Sequence, residues 1–356
     1  MARFATPREA LAALPELARA GGRAAAPAIP SEAAVEAEWR AVQRMGAQIL
    51  FLDGPGYPAL LAQLPDAPPA ISVLGGAKNL AARAVGVVGA RNASANGMRF
   101  AEILGAELAP ALVVVSGLAR GIDAAAHTGA LRAGQTIAVI AGGLDLPYPP
   151  EHAALQARIA EQGAVVAEAP LGTAPVARHF PKRNRIIAGL VLGLVVIEAA
   201  SRSGSLLTAH LANEAGRELF GVPGSPLDPR SAGANDLIRQ GAHLTESAAD
   251  VLANLPDVPS RLGLSRDPMF QRISGPGFAE SLEPLIVEDN EADEVELARG
   301  RRLIPDMIGA DPVAVDEIAR RCQLSLTAIT AVLLELELAG RVETLAGNRV
   351  ARHVDP

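Results

Sequence analysis

Short apolar runs, separated by alanine-rich stretches of helical length, dominate the middle of the chain. Between residues 80 and 255 these runs are rich in β-branched and small side chains, and they cover Val85–Val88, Leu112–Val115, Thr136–Ile140, Ala164–Ala167, Leu194–Ile197 and Glu218–Val222. Continuous apolar strands that alternate with helices indicate a parallel sheet covered on both faces. The pattern therefore predicts a doubly wound α/β domain over residues 76–255.

Helical periodicity marks the start of the chain. Residues 6–20 and 31–45 place apolar side chains at helical spacing, with Thr6 as a candidate N-cap and Pro7 at the first helical position. A stretch rich in proline and glycine follows, from residue 53 to residue 69. We therefore predict a small, mostly helical N-terminal region over residues 1–75.

A different pattern follows the apolar runs. Residues 256–300 carry prolines, glycines and the acidic run Glu288–Glu296, which predicts a flexible linker. Two amphipathic helices over Val313–Cys322 and Thr327–Gly340 and a hairpin over Arg341–Arg352 are then expected. Two helices followed by a hairpin predict a C-terminal winged-helix module over residues 301–356.

Composition narrows the class of protein. The 356 residues are 49% hydrophobic and 20% charged, enough for a substantial core, and the net charge of −7 excludes a histone-like coat of positive charge but not a local basic groove. The single cysteine, Cys322, excludes a disulfide scaffold and a cysteine-based zinc site. The longest apolar run, near residues 187–200, is interrupted by Gly189, Gly193 and Glu198, and the start resembles no secretory signal. We expect a soluble cytoplasmic protein.

The first candidate site is the turn Gly86–Ser94, where a strand ends and a helix begins. Backbone N–H groups at Gly89 and beyond, together with the helix dipole, can hold an anion, and Arg91 would add a fork for phosphate. The turn lacks the Gly-x-Gly-x-x-Gly spacing, which argues against a dinucleotide. A tight turn with a solvated arginine is the alternative.

The second candidate is the segment Ser116–His127, in which Gly117 and Arg120 precede a helix. Asp123 and His127 are four residues apart on that helix, a spacing that suits acid–base chemistry or two metal ligands. No third ligand is near in sequence. A helix start held by local side-chain hydrogen bonds is therefore the favoured interpretation.

The third candidate is a basic cluster at the entry to an apolar helix. Cations at a helix N-terminus oppose the helix dipole, so an external polyanion would stabilise them. An aromatic ring among them offers a stacking face, a combination typical of single-stranded nucleic acid binding. The cluster contains Arg178, Phe180, Lys182, Arg183, Asn184 and Arg185.

The fourth candidate is a Ser-Gly-Ser turn that follows a strand ending at Glu198. The hydroxyl groups of Ser203, Ser205 and Thr208, with the N–H groups around Gly204, predict a second phosphate cradle. A nucleophilic serine would need a base such as His210, and nothing in the sequence orients that histidine, so we favour ligand binding over catalysis.

Together these segments resemble the DNA-processing protein A (DprA, also called Smf) family. Seven motifs carry the resemblance in order over roughly half the chain. They are residues 86–94, 116–127, Gly142–Pro149, Phe180–Leu190, Ser203–Ala209, Val222–Ser225 and Asn235–Ala242. The resemblance implies an extended Rossmann-like domain that binds single-stranded DNA as a homodimer.

The resemblance also implies a role. Family members receive incoming DNA during natural transformation, protect it and help load the RecA recombinase, so we expect a binding and mediator protein rather than an enzyme, with no metal and no cofactor. The implied DNA-binding residues are Gly89, Arg91, Ser116, Gly117, Arg120, Arg178, Phe180, Lys182, Arg183, Asn184, Arg185, Ser203, Gly204, Ser205 and Thr208. Because the family's helix-hairpin-helix segment with its Gly-Pro turn is not evident, we expect either a truncated N-terminal domain or a misassigned start.

Two other functions remain as alternatives. Rossmann-like nucleotide phosphoribohydrolases also carry glycine-rich turns, but their Pro-Gly-Gly-x-Gly-Thr-x-x-Glu signature is replaced here by Ser-Gly-Ser-Leu-Leu-Thr at residues 203–208. A transcriptional regulator could act through the winged helix, whose hairpin carries Arg341, Arg349 and Arg352.

Overall fold

The architecture was obtained from a computed structural model of the chain. The structure describes residues 6–21, 29–201, 203–256, 294–309, 311–322, 324, 326–345 and 349–352. These residues form two compact units. The larger is built on residues 30–256, and the smaller contains the first helix, α1 (Pro7–Ala20), together with the C-terminal part of the chain.

A nine-stranded sheet organises the larger unit. Its strands are β1 (Ala47–Phe51), β2 (Ala70–Gly75), β3 (Ala84–Gly89), β4 (Val113–Ser116), β5 (Thr136–Ile140), β6 (Ala164–Ala167), β7 (Gly193–Ile197), β8 (Glu218–Gly221) and β9 (His243–Leu244). They are ordered β1-β2-β6-β5-β4-β3-β7-β8-β9. The seven strands from β6 to β9 in this order are parallel, and β2 and β1 extend the sheet antiparallel at one side.

Helices cover both faces of this sheet. They are α2 (Glu32–Arg44), α3 (Ala59–Ala62), α4 (Ala95–Leu108), α5 (Ile122–Ala133), α6 (Ala153–Gln162), α7 (His179–Leu190), α8 (Gly204–Glu214), α9 (Ala232–Arg239) and α10 (Ala248–Asn254), with short 3-10 helices at Ala77–Ala81, Pro150–His152 and Pro229–Ser231. Along β3, Val85 and Val87 pack towards α4 and α5, whereas Val88 packs towards α7 and α8. Burial on both faces explains why the strands are continuously apolar.

The predicted doubly wound, mostly parallel Rossmann-like fold is confirmed. The six predicted strands correspond to β3–β8 with boundaries shifted by at most one residue. The order of the strands reverses at β3 and β7: the chain moves from β3 outward to β6, then returns to β7 on the other side of β3. In open α/β sheets the crevice at such a reversal is the usual place for a ligand.

The predicted helical region over residues 1–75 requires a correction. Residues 31–45 do form a helix, but β1 and β2 are strands of the main sheet, so its boundary lies before β1 rather than at residue 75. The edge strand β1 is only half buried, with Phe51 exposed, and its mixed pattern over five residues carries little strand signal.

The smaller unit contains the predicted winged helix, which is confirmed. Its elements are α11 (Glu294–Met307), β10 (Val313–Ala314), α12 (Val315–Cys322), α13 (Leu326–Leu338), β11 (Val342–Leu345) and β12 (Arg349–Arg352), with the strands ordered β10-β12-β11. Of the predicted linker, residues 257–293 lie outside the described residues, and those from Glu294 onward belong to α11.

The N-terminal helix α1 belongs to this smaller unit. It packs against α13 and buries Leu17 and Ala18, which are 6% and 1% exposed. At its end the backbone of Gly21 lies against that of Glu335, so closely that a Cβ at Gly21 would collide with the Glu335 carbonyl. Inside the unit, Arg301 holds the buried Glu335 carboxylate with two hydrogen bonds of 2.7 Å. The first helix of the chain therefore packs on α13 of the winged-helix unit. None of the described helices is both long and apolar enough to cross a membrane.

Candidate nucleic-acid interface

The glycine-rich turns meet at the carboxyl edge of the parallel strands. There the loops after β3, β4 and β5 and the start of α7 surround a small cleft, called the arginine cleft below. It is lined by Arg91, Gly117, Ala119, Arg120, Tyr148, Pro149, Phe180 and Arg183. The structure thus brings together five predicted site residues: Arg91, Gly117, Arg120, Phe180 and Arg183.

Aromatic and cationic side chains stack at this cleft. The guanidinium carbon of Arg91 lies 4.9 Å from the centroid of the Phe180 ring, within cation–π range. The Tyr148 ring lies 5.7 Å from that of Phe180 and is tilted by 60°. Arg91 is exposed, Tyr148 is 46% exposed and Phe180 is half-buried. Tyr148 was missed as a candidate, although it lies within a motif of the family resemblance.

Arg183 forms the floor of the cleft rather than its rim. Its side chain is buried, and its Nη1 donates to the carbonyl of Val139 at 3.0 Å. Burial lowers the pKa of Arg183 to about 10, although the nearby Asp123 carboxylate raises it. A Cβ on Gly117 would lie 1.6 Å from Nη1, so this position must be glycine for the guanidinium to fit. Among the described residues, Arg183 Nε has no hydrogen-bond partner.

The start of α5 uses its own hydrogen-bond donors internally. Asp123 Oδ2 accepts the N–H groups of Gly117 at 3.1 Å and Ala119 at 3.3 Å, and the buried Ser116 hydroxyl donates to the Val87 carbonyl at 2.6 Å. Burial raises the pKa of Asp123, and Arg183 and these hydrogen bonds lower it in part. The local-hydrogen-bond interpretation of Asp123 therefore holds, and phosphate contacts of Ser116 and the Gly117 N–H stay predictions that would have to replace these bonds.

His127 is likewise held inside the fold. Its Nδ1 lies 2.7 Å from Thr136 Oγ1, whose own hydroxyl donates to the Val114 carbonyl at 2.6 Å. Because the Thr136 hydroxyl donates its proton to that carbonyl, His127 Nδ1 must be the donor in the bond to Thr136. His127 Nε2 has no hydrogen-bond partner among the described residues. Burial lowers the pKa of His127 to about 3, with Arg183 and His152 contributing in the same direction. The histidine is neutral and packed away from solvent.

The remaining members of the basic cluster separate around α7. Arg185 turns away from the cleft: its side chain is 11% exposed and pairs with Glu168 at 2.5 Å and Asp66 at 3.5 Å. Asn184 is buried and donates to the Gly204 carbonyl at 3.3 Å. Both side chains therefore have partners inside the protein, and their predicted DNA-binding roles stay predictions that these contacts do not favour. Arg178 is exposed and Lys182 is half-buried at the first turn, and their roles stay predictions.

The Ser-Gly-Ser turn begins α8 as predicted, but most of its hydroxyl groups serve the helix. Ser203 Oγ accepts the Leu206 N–H and lies 2.9 Å from Ser205 Oγ, so these two hydroxyls bond each other and not a base. Thr208 is 2% exposed and donates to the Gly204 carbonyl at 3.2 Å, so its hydroxyl already has a partner within the helix and its predicted DNA contact stays a prediction. Gly204 is exposed with open space around its Cα, so Ser203, Gly204 and Ser205 stay predictions as a phosphate cradle.

The turn Gly86–Ser94 also differs from its prediction as an anion site. The Glu198 carboxylate already occupies the start of α4, where Oε2 accepts the Ser94 N–H at 2.8 Å and Oε1 accepts the Ser94 hydroxyl. A Cβ at Gly89 would lie 1.9 Å from the Ile197 carbonyl oxygen, so this glycine permits close strand packing rather than contact with a ligand. Of this turn, only Arg91 faces the cleft. The remaining cleft cation, Arg120, is exposed and forms an ion pair with Glu151.

In the part of the chain that the structure describes, no cluster of side chains could bind a metal ion. Within those ranges, three or more histidine, cysteine, aspartate or glutamate side chains are nowhere close enough to hold an ion together. Asp123 and His127 are buried with the partners given above. The side chains that line the cleft are cationic and aromatic. Such a surface is suited to an anion that carries flat, apolar groups.

Comparisons with known proteins match all three parts of the chain. A family model described as DNA recombination-mediator protein A matches residues 48–256, one described as DprA winged helix domain matches residues 288–348, and one described as DprA-like N-terminal HHH domain matches residues 1–41. The last match is to a helix-hairpin-helix type of domain at residues 1–41, a segment that was not evident from the sequence motifs.

Individual relatives agree with the family models. Protein Smf of Synechocystis is 35% identical over 330 residues, which are 87% of this chain and 81% of that protein. The X-ray structure of DNA processing protein A from Streptococcus pneumoniae has a TM-score of 0.61 at 41% identity and covers 64% of this chain and 80% of its own. A structure described as showing the single-stranded DNA binding mode of DNA processing protein A from Helicobacter pylori has a TM-score of 0.53 at 28% identity, covering 59% and 95%.

Proposed function

The chain belongs to the DNA recombination-mediator protein A family, and from that premise we propose that it binds single-stranded DNA at the arginine cleft and mediates recombination. The related Helicobacter pylori protein is described by its single-stranded DNA binding mode, and 95% of that chain is covered by this one. Binding of the same ligand by this chain is consistent with the surface that its glycine-rich turns create.

The observation that carries the proposal is the stack of Arg91 on Phe180 at the mouth of the cleft. Arg91 offers a guanidinium fork to phosphate while its guanidinium carbon lies over the Phe180 ring, and Tyr148 supplies a second exposed ring beside it. Single-stranded DNA provides both a phosphate backbone and unpaired bases that can stack on such groups. In duplex DNA the bases are paired and stacked on each other, so only the phosphates remain for the cleft.

Sequence preference is expected to be weak. The groups that line the cleft are guanidinium forks and aromatic faces, which contact phosphates and the flat faces of bases. Such contacts position a strand without reading the edges of its bases. We therefore propose a binder that accepts strands of any sequence, as a protein that handles incoming DNA must.

The further role that we propose is to protect the bound strand and to help load the RecA recombinase onto it during natural transformation, with the protein acting as a homodimer in the cytoplasm. The cleft contributes binding rather than catalysis in this proposal. Asp123 and His127 are buried and bonded within the fold, and the Ser203 and Ser205 hydroxyls bond each other, so these residues offer no activated nucleophile.

Fluorescence anisotropy with labelled oligonucleotides tests the binding proposal. The full chain should bind a single strand more tightly than the matching duplex, and its affinity should fall steeply with salt as counterions are released. Arg132 provides a matched control, because it is an exposed arginine at the far end of α5, on the opposite edge of the sheet from the cleft. Arg91→Ala should weaken binding and Arg132→Ala should not. Duplex binding as tight as single-strand binding would overturn the proposal.

A separate assay tests the mediator role. RecA hydrolyses ATP when it assembles on single-stranded DNA, so the delay before hydrolysis on strands coated with single-strand-binding protein measures loading. The wild-type protein should shorten this delay, and Arg91→Ala should shorten it less. If the wild-type protein binds the strand but leaves the delay unchanged, the binding proposal stands and the loading role is rejected.

A further inference from the structure

Two loops run side by side at the point where the strand order of the large sheet reverses. Strands β3 and β7 are parallel neighbours, and Gly89 is paired with Ile197 at their carboxyl ends. The chain continues from Gly89 into the turn that carries Arg91 and Ser94, and from Ile197 into Glu198 and the turn before α8. Glu198 therefore emerges directly beside the loop that brings Arg91 to the cleft.

Glu198 ties these two loops together. Its Oε2 accepts the N–H of Ser94 at 2.8 Å, and its Oε1 accepts the Ser94 hydroxyl. Ser94 is in turn the N-cap of α4, because its Oγ accepts the N–H of Gly97 at 2.9 Å. A carboxylate at this position also interacts favourably with the dipole of α4. One side chain thus fixes the end of the Arg91 turn and the start of the helix that follows it.

Two unusual backbone features make room for this carboxylate. Glu198 has a φ of 50°, in the left-handed region that non-glycine residues avoid. At Gly97, in the first turn of α4, a Cβ would lie 2.6 Å from the Glu198 carboxyl carbon. Both features cost stability in an ordinary fold, and such strain concentrates at functional sites.

The hydrogen bonds between Glu198 and Ser94 lie close to Arg91 along the chain. Arg91 is three residues before Ser94 in the same turn, and the carbonyl of Ala90 on its other side accepts the N–H of Ile122 at 3.3 Å. The turn is therefore held at both ends, by α5 before Arg91 and by Glu198 after it. Between these two anchors the Arg91 guanidinium lies 4.9 Å from the centre of the Phe180 ring.

We propose that Glu198 is a positioning residue for DNA binding: it holds the Arg91 turn so that the guanidinium stacks on Phe180 and faces the phosphates of a bound strand. The inference rests on the proposed function, because it concerns how the same cleft is organised. Glu198 does not touch DNA itself.

The direction of the change in DNA affinity distinguishes a positioning role of Glu198 from an effect of its negative charge alone. A carboxylate near a DNA site repels phosphate, so removal of its charge alone strengthens DNA binding. A positioning role predicts the opposite for any variant that also removes the tie to Ser94. Glu198→Gln removes the charge and keeps an oxygen that can accept the Ser94 N–H. Glu198→Gly removes both, and glycine accepts the left-handed φ without strain, so the backbone there is not disturbed.

The test is a double-mutant cycle on the affinity of the full-length protein for a labelled single strand, with the melting temperature measured on every variant. Glu198→Gly should weaken binding by about fivefold or more. Glu198→Gln should bind as tightly as the wild type or more tightly. In the background of Arg91→Ala, Glu198→Gly should cause little further loss, because the arginine that it positions is already gone.

Each other outcome overturns the inference. Glu198→Gly binding as tightly as the wild type shows that the tie does not position Arg91, and an equal loss in the Arg91→Ala background shows that Glu198 acts elsewhere. A Glu198→Gln variant as weak as Glu198→Gly also contradicts it. If Glu198→Gly does not fold, Glu198→Asn serves in its place, since asparagine tolerates the left-handed region and is too short to reach Ser94. Failure of the proposed function is distinct, because then the wild-type protein itself does not bind the strand.

Discussion

Arg91 and Phe180 come from different turns, and the guanidinium of the first lies over the aromatic ring of the second at 4.9 Å. The two residues are 89 positions apart in the chain, on the loop after β3 and on the first turn of α7. Their stack combines the two types of group expected for a single strand, a phosphate fork and a flat apolar face. A base that enters the cleft meets either the ring or the guanidinium plane on top of it.

Phe180→Ala should weaken single-strand binding by about 1–3 kcal/mol, because a stacking face is lost. The slope of log affinity against log salt concentration should change little, since no phosphate contact is removed directly. Anisotropy titrations over a range of salt concentrations measure both quantities. The melting temperature must be measured on the same variant: a large fall would show that Phe180 supports the fold, and the stacking role would then be rejected.

Arg185→Ala should lower stability and leave DNA affinity within about twofold of the wild type. Its guanidinium pairs with Glu168 and Asp66 on a side of α7 that does not line the cleft, and loss of one partner leaves polar groups in a half-buried site. A cost of about 1–3 kcal/mol in the free energy of unfolding is expected from thermal or urea denaturation. An Arg185→Ala variant with normal stability and weak DNA binding would place this arginine in the DNA site after all.

The sequence predicted those elements of the fold whose hydrophobic pattern is clear, and it missed strands whose pattern is mixed. The β3–β8 strands were predictable because continuous apolar runs are typical of strands buried on both faces, and the winged helix because its two helices are amphipathic. The strands β1 and β2 were missed: they lie at the side of the sheet, and their five and six residues mix exposed and buried positions.

The site shows the same limit in more detail. Motif matching identified Arg91 and Phe180, but it could not show which cations of α7 face the cleft. The orientation of each cation depends on the rotation of α7 about its axis. It also depends on Glu168 and Asp66, which are distant in sequence from each other and form ion pairs with Arg185. The sequence did not predict the contact between Glu198 and Ser94. The contact requires β3 and β7 to be neighbours in the sheet, and neither strand's own sequence indicates that strand order.

The buried His127 should give the protein a measurable pH dependence of stability. Burial holds its folded-state pKa near 3, below the usual 6.5, so the unfolded chain binds a proton that the folded protein does not. The stabilising contribution is complete above about pH 6.5 and is lost as the pH falls towards 3. Between pH 7 and pH 5 the loss amounts to about 2 kcal/mol.

A His127→Asn variant provides the comparison for this effect. Asparagine can still donate a hydrogen bond near Thr136 but does not titrate, so its stability should fall less between pH 7 and pH 5. The buried Asp123, whose pKa is raised, contributes in the opposite direction and is present in both proteins, so the difference between the two isolates His127. Parallel stability curves for the two proteins over this range would contradict the account of a neutral buried histidine.

Removal of the C-terminal unit should leave the N-terminal helix without its packing partner. Leu17 and Ala18 of α1 are buried against the winged-helix unit. A protein of residues 1–256 should therefore expose an apolar helix face and bind the dye ANS, whereas a protein of residues 30–256 should not. Equal dye binding by the two proteins would show that α1 does not depend on the C-terminal unit.

The central claim, that the arginine cleft holds the phosphates of a single strand, is tested most directly by the salt dependence of binding for Arg91→Ala against Arg132→Ala. Each phosphate contact contributes about one unit to the slope of log affinity against log salt concentration. The account predicts that Arg91→Ala binds more weakly at low salt and loses about one unit of slope, while Arg132→Ala matches the wild type in both. An Arg91→Ala variant whose affinity equals that of the wild type at every salt concentration would place the DNA elsewhere on the protein.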